Sequence, residues 1–141
     1  MSDPAIQIAV DCRDPHTLVR FWAAALDMEI EDHADQIASL LEAGVATAED
    51  VTEVDGRLAW ATAAACRRDG GPVPRLLFQQ VPEDKTVKNR WHLDLHYPAG
   101  ERDTQVARFE ALGATRLWTA SQGPHEWVTL ADPEGNEFCV G

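Results

Sequence analysis

The chain is 141 residues long, 45% hydrophobic, and carries 24 acidic against 12 basic side chains, a net charge of −12. That length leaves room for one domain with a real core, and the charge argues against nucleic acid or an anionic membrane surface as partner. No apolar run approaches the ~20 residues that cross a bilayer, so a membrane is not expected as partner either.

Ile6 to Asp11 sets Ile6, Ile8 and Val10 against Gln7, Ala9 and Asp11, the pattern of a half-buried strand. Asp14-Pro15 then opens a helix, an N-cap followed by the residue favoured at the first helical position. Leu18, Phe21, Trp22 and Ala25 form its buried stripe. A strand follows at about Met28 to Glu31. The acidic, alanine-rich segment 32–56 predicts a short helix through Ile37, Leu40 and Leu41 that ends at Gly44, and Thr47-x-x-Asp50 predicts the start of another. The segment reads equally as a lid or as a passive surface excursion.

Leu58 to Cys66 predicts one strand of small residues, Gly70-Gly71-Pro72 a turn, and Arg75 to Val81 the next strand. Arg90 to Tyr97 predicts a strand with two unlike faces. Trp91, Leu93, Leu95 and Tyr97 make an apolar face suited to packing under a helix, while Arg90, His92, Asp94 and His96 line the other face. Glu101 to Leu112 is a second amphipathic helix with Val106, Phe109 and Leu112 as its stripe and Gly113 at its C-terminal stop. Strands at Ala114 to Trp118, Glu126 to Ala131 and Glu137 to Val140 complete the chain, separated by turns at 121–124 and 132–136.

The order is strand, helix, then three strands, twice over. The spacing from Gln7 to Leu26 matches that from His92 to Leu112 to within one position. The expected class is α+β: a single domain over 1–141 built from two βαβββ modules, about 5–81 and about 90–141, with a partly helical insert in the first. The uncovered faces of the two sheets are expected to form a cup around a cleft holding Gln7, His92, Glu137 and Cys139. Three widely separated cysteines, Cys12, Cys66 and Cys139, make neither a disulfide framework nor a paired zinc motif. The N-terminal Met-Ser-Asp-Pro has no basic and apolar signal region, which leads to the expectation of a cytoplasmic protein.

The turn Asp132-Pro133-Glu134-Gly135-Asn136 and the strand after it resemble the Asp-Pro-x-Gly-Asn signature of the vicinal oxygen chelate superfamily, which includes glyoxalase I, extradiol dioxygenases and bleomycin-resistance proteins. The stretches from Lys85 to Asp94 and from Gly123 to Trp127 resemble a glyoxalase-like subgroup of it, and the resemblance covers essentially the whole chain. Metal enzymes of that superfamily carry ligands on the first and last strands of each module. Gln7 and His92 fall at the two first-strand positions. The last strand of module one offers only Leu76, Leu77 or Phe78 where a glutamate is usual. In module two the glutamate position, four after Gly135, is Cys139, with Glu137 on the same face.

The resemblance therefore implies a metal set short of its carboxylates. No cofactor is expected, with a divalent metal on Gln7, His92 and Cys139 as the weaker alternative. The leading reading is a small-molecule ligand in the cleft, handled by metal-independent acid–base chemistry of lyase or isomerase type at His92 and Asp94. Gln7, Arg90, Trp127, Glu137 and Cys139 are the expected ligand-binding residues. Against it stand a non-catalytic sequestering protein like those of bleomycin resistance, a metal-dependent enzyme of glyoxalase or dioxygenase type, and a partner-binding protein with a vestigial cup. The resemblance also implies a homodimer.

Each residue has a plainer role open to it. His92 can be satisfied by Asp94 and His96, Cys139 can be a small buried hydrophobe, and Glu137 can pair with Arg90. Trp60, Trp118 and Trp127 read as an aromatic wall or as core. Lys85, Lys88 and Arg90 read as an anion clamp or as a solvated linker.

Overall fold

The computed structural model describes residues 2–141, which fall into two compact units divided between Glu83 and Asp84. In the first, β1 (Gln7–Cys12) leads into α1 (Pro15–Leu26) and β2 (Glu29–Ile30). An insert follows: α2 (Ala34–Glu42), a 3-10 turn (Ala48–Asp50), β3 (Val51–Val54) and β4 (Arg57–Trp60). β5 (Ala63–Arg67) and β6 (Arg75–Gln80) close the unit. The second runs β7 (Leu93–Leu95), α3 (Arg102–Leu112), β8 (Thr115–Gln122), β9 (His125–Ala131) and β10 (Glu137–Val140).

The two sheets have one topology. The orders are β1-β6-β5-β2 and β7-β10-β9-β8, and in each the first strand runs parallel to the last while the other neighbours are antiparallel. Both units are thus the expected βαβββ module, the first interrupted between its second and third strands. A parallel pair needs a long crossover, and here the helix and the two middle strands supply it.

The first helix forms where its caps dictate. The Asp14 carboxylate accepts from the Thr17 backbone N–H at 3.1 Å and from the Thr17 hydroxyl at 2.6 Å, and these bonds hold it below the usual carboxylate range. Leu18, Phe21, Trp22 and Ala25 are all buried, as their spacing requires. In α3 Val106 and Phe109 are fully buried, with the Phe109 ring edge-on to Phe138 of β10 at 5.7 Å, whereas Leu112 at the helix end stays partly exposed. Trp22→Ala and Phe109→Ala should each cost about 3–5 kcal/mol of stability, the range for aromatic truncation in a packed core. Chemical denaturation of each variant measures this, and a loss below about 1 kcal/mol would mean that the ring does not anchor its sheet.

Four expectations need correction. The segment 58–66 is not one strand: Arg57–Trp60 pairs with Val51–Val54 in a separate two-stranded hairpin, and Ala63–Arg67 joins the main sheet. The hairpin turns on Asp55-Gly56, both in the left-handed region at φ 51° and 77°, the geometry for which Asp-Gly is suited. Thr47 does form a reciprocal capping box with Asp50, but only a 3-10 turn follows before β3 begins. The strand of 90–97 shrinks to Leu93–Leu95, so Trp91 lies outside it and is 93% exposed instead of packing under α3. Conversely, β8 runs four residues past Trp118, and only Gly123-Pro124 turns the chain into β9.

Candidate functional site

The turn that opens β10 sets the site's register. The buried Asp132 carboxylate accepts from the Glu134 and Asn136 backbone N–H groups and from the Asn136 side-chain amide, all at 2.9–3.0 Å, while Gly135 takes a φ of 90°. A side chain of any other type at 132 could not collect these donors. β10 therefore starts at a fixed residue, and its alternation places Phe138 and Val140 in the core under α3 and Glu137 and Cys139 on the opposite face.

Strand pairing then lays one row of side chains across that face. Asp94 pairs with Cys139, Cys139 with Thr129, and Thr129 with Trp118. Directly paired residues project to the same side of a sheet. Trp118 reaches the row because β8 bulges between Arg116 and Trp118, which brings the indole opposite Thr129. His92, His96 and Trp127 fall on the same side by alternation. With Lys88, Gln122 and His125 they enclose a cavity of about 780 Å³ whose lining comes entirely from the second unit. That is within the range of small-molecule sites. A hollow of about 330 Å³ on the first unit is lined by Ile30 and by charged side chains, without an aromatic wall.

At the cavity floor His92 Nδ1 lies 2.8 Å from an Asp94 carboxylate oxygen. An ionised carboxylate can only accept, so Nδ1 carries a proton, and in the neutral ring the lone pair is on Nε2. The Cys139 thiol lies 4.0 Å from the same Nδ1 and 3.4 Å from the Thr129 hydroxyl. Burial pushes this thiol up, and the Asp94 carboxylate pushes it further, against the opposing bond to Thr129. One ring nitrogen facing both the acid and the sulfur, with the thiol held protonated, is not the arrangement of a cysteine nucleophile and its base. Alkylation of Cys139 by iodoacetamide at pH 8 should accordingly be slower than that of an unstructured cysteine peptide, and Asp94→Asn should speed it. Mass-spectrometric rates at Cys139 measure both, and a rate above the peptide's would contradict the assignment.

His92 Nδ1, an Asp94 oxygen and Cys139 Sγ lie within 4.8 Å of one another. This set of one nitrogen, one carboxylate and one sulfur suits a borderline ion such as zinc, with Lewis-acid chemistry, better than a hard ion that wants oxygen and imidazole. A metal held there would have to displace both the proton that the thiol retains and the one on His92 Nδ1, which would move to Nε2.

The remaining expected residues separate. Trp118 and Trp127 wall the cavity, while Trp60 belongs to the first unit, where its carbonyl bonds to His16. Glu137 lines the cavity, but its carboxylate accepts from Lys88 at 2.9 Å and from the Asn89 backbone N–H at 3.0 Å, and these bonds lower it from its ordinary value. Its partner is therefore Lys88 and not Arg90, which is exposed and outside the lining. Lys85 bonds to the Val87 carbonyl. Gln122, His125 and Thr129 line the cavity without having been singled out in the sequence, and Tyr97, expected on the apolar face, both lies 6.4 Å from the Phe109 ring, centroid to centroid, and contributes to the lining. The pairing of Thr129 with Cys139 was the signal available for one of them.

Gln7 lies in the first unit. Its side-chain carbonyl accepts from Arg75, directly opposite on β6, at 2.6 Å, and Arg75 grips the Glu31 carboxylate with two further bonds of 2.6 and 3.1 Å. That grip holds Glu31 below its ordinary value. Of the three residues offered at the glutamate position of β6, Leu76 and Phe78 are buried in the core and only Leu77 is on the face of Gln7.

These features can be set beside known proteins. The family model of the glyoxalase-like domain matches residues 7–141. Among solved structures, a glyoxalase/bleomycin resistance protein/dioxygenase family enzyme from Burkholderia phytofirmans is similar at a TM-score of 0.62 and 15% identity, over 95% of this chain and 94% of that one. The fosfomycin resistance protein FosX from Mesorhizobium loti is similar at 0.65 and 12% identity, over 99% and 91%. A variant of FosX from Listeria monocytogenes, solved with Mn(II) and 1S,2S-dihydroxypropylphosphonic acid, is similar at 0.63 and 11% identity, over 99% and 90%. At these identities the likeness is one of fold. No curated protein sequence matches the chain. The family match spans both βαβββ units and the Asp132–Asn136 turn, and the chain belongs to the glyoxalase-like domain family.

Proposed function

We propose that the cavity of the second unit binds a small organic molecule and that His92, oriented by Asp94, exchanges a proton with it. The observation that carries this is the convergence on one aromatic-walled cavity of a histidine whose Nδ1 is fixed by a carboxylate. A base held in one tautomer and placed against an enclosed ligand is what general acid–base catalysis needs. The reaction class that follows is proton abstraction beside a carbonyl or a lyase-type elimination, with Asp94 as the orienting group. The FosX variant of similar fold was solved in complex with 1S,2S-dihydroxypropylphosphonic acid, which supports a small organic ligand.

A metabolite and antibiotic binding screen followed by product analysis tests the reading. Binding with turnover that His92→Gln abolishes supports it. Tight binding without product, unchanged by His92→Gln, would favour the sequestering alternative. A second reading, a metal centre, is favoured by the three donors gathered at His92, Asp94 and Cys139. Elemental analysis of the purified protein tests it, stoichiometric zinc being the supporting result. The homodimer implied by the family resemblance is tested by light scattering.

A further inference from the structure

The charge that surrounds the cavity has a definite sign. Its lining holds three carboxylates, Asp94, Glu126 and Glu137, against one lysine, Lys88, and no arginine. Two of the acids already have cationic partners: Glu137 is paired with Lys88 at 2.9 Å and Glu126 with Arg102 at 2.5 Å. Among the described residues, Asp94 has only the His92 ring as an ion-pair partner, and its side chain is about half exposed and part of the cavity lining. The aromatic walls point the same way. The Lys88 ammonium sits 5.5 Å from the centroid of the Trp118 ring, so the indole of this wall attracts positive charge on its face, and with Lys88 there the ligand's own ammonium belongs at Asp94. Electron-rich ring faces and a carboxylate whose ion-pair partner among the described residues is a histidine and not a lysine or arginine together favour positive charge, while a carboxylate or phosphonate ligand would meet Asp94 with no guanidinium or second lysine in the lining to offset the repulsion.

We propose that the cavity selects a cationic ligand, a protonated organic amine with a flat apolar body, its ammonium on the Asp94 carboxylate and its body against Trp118 and Trp127. The proposal rests on the reading of this cavity as the ligand site and adds the substrate class. Replacing a neutral hydroxyl by an ammonium at a carboxylate converts an ordinary hydrogen bond into a charge-assisted one, and the difference is worth about tenfold in affinity.

Three probes of one shape test this: 2-naphthylmethylamine, 2-naphthylmethanol and 2-naphthoate, titrated at pH 8 by calorimetry and by NMR of the indole N–H signals. The amine should bind at least about tenfold more tightly than the alcohol, with the naphthoate weakest. Asp94→Asn should close the gap between amine and alcohol. On the unaltered protein, raising the salt should weaken the amine and leave the alcohol unchanged, a readout that does not depend on the variant's folding. An alcohol or naphthoate that binds as tightly as the amine overturns the charge preference and leaves the cavity reading standing. Failure of all three to perturb Trp118 or Trp127 overturns the cavity reading and the preference with it.

Discussion

Replacing Cys139 by glutamate should raise the affinity for Mn(II) or Ni(II) by more than the 10–100-fold that outer-shell partners typically contribute, because it adds a donor to the ion's own shell. Position 139 is directly opposite Asp94 and 4.0 Å, through its sulfur, from His92 Nδ1. A carboxylate there would complete an oxygen, oxygen and nitrogen set of the kind hard divalent ions prefer, with the other positions open. It would also remove the sulfur that makes the natural set more suitable for zinc, so the Mn(II) to Zn(II) preference should move toward manganese. His92→Ala in the same background should abolish the gain. Calorimetric titration of the folded variant measures each affinity. The cost to watch is a second carboxylate beside Asp94, which among the described residues has no lysine or arginine partner of its own, and a thermal melt separates loss of fold from loss of binding. A folded Cys139→Glu variant with unchanged metal affinity would show that position 139 does not share a site with His92.

The second large effect is catalytic. With a substrate that turns over, His92→Gln should lower kcat by about 10²–10⁴, the range for removal of a general acid or base. Glutamine retains a side-chain N–H that can face Asp94 but has no group that takes a proton near neutrality. Asp94→Asn should reduce kcat less than this, because it leaves the imidazole in place and alters only its tautomer and orientation. The split matters: a residue that merely shapes the cavity would raise KM and leave kcat alone. Steady-state kinetics of the two variants measure it, and an unchanged kcat in His92→Gln would remove the histidine from the chemistry.

Much of the fold could be read from local chemistry. Asp14-Pro15 starts α1, the spacing of Leu18, Phe21, Trp22 and Ala25 gives its buried face, and Asp132-Pro-Glu-Gly-Asn136 makes the turn that its side chains are suited to bond. Each of these is decided within a few residues. The alternation of 137–140 was legible for the same reason, and with it the shared side of Glu137 and Cys139. What was missed depends on pairing between distant strands. The Asp55-Gly56 turn was overlooked because the run Leu58 to Cys66 reads as continuous by composition, and only its two different partners, β3 and β6, split it. Trp91 was placed under a helix because alternation was extended beyond the three residues that pair with β10. Trp118 reaches the cavity row through a bulge, a feature that hydrophobic pattern does not encode. The plainer pairing open to Glu137 in the sequence, with Arg90, fails for a related reason: Arg90 is nearer to β7 in sequence, but the loop presents Lys88 and Asn89 to the carboxylate.

The site divides along the same line. His92, Asp94 and Cys139 come together because two parallel neighbours, β7 and β10, are held in a register that the Asp132 turn fixes. The Gln7 side-chain carbonyl accepts from Arg75, a partner 68 positions away that only the pairing of β1 with β6 brings to it.

A titration of isotope-labelled protein with the tightest compound from the binding screen, followed by heteronuclear NMR, tests the central claim most directly. Ligand binding at the open face of β7 to β10 should move the signals of His92, Trp118, Trp127 and Thr129 together, with one saturation curve, and should leave those of Glu31, His33 and Arg67 unmoved. Shifts confined to the first unit, or saturating shifts that leave His92 and Trp127 untouched, would contradict it.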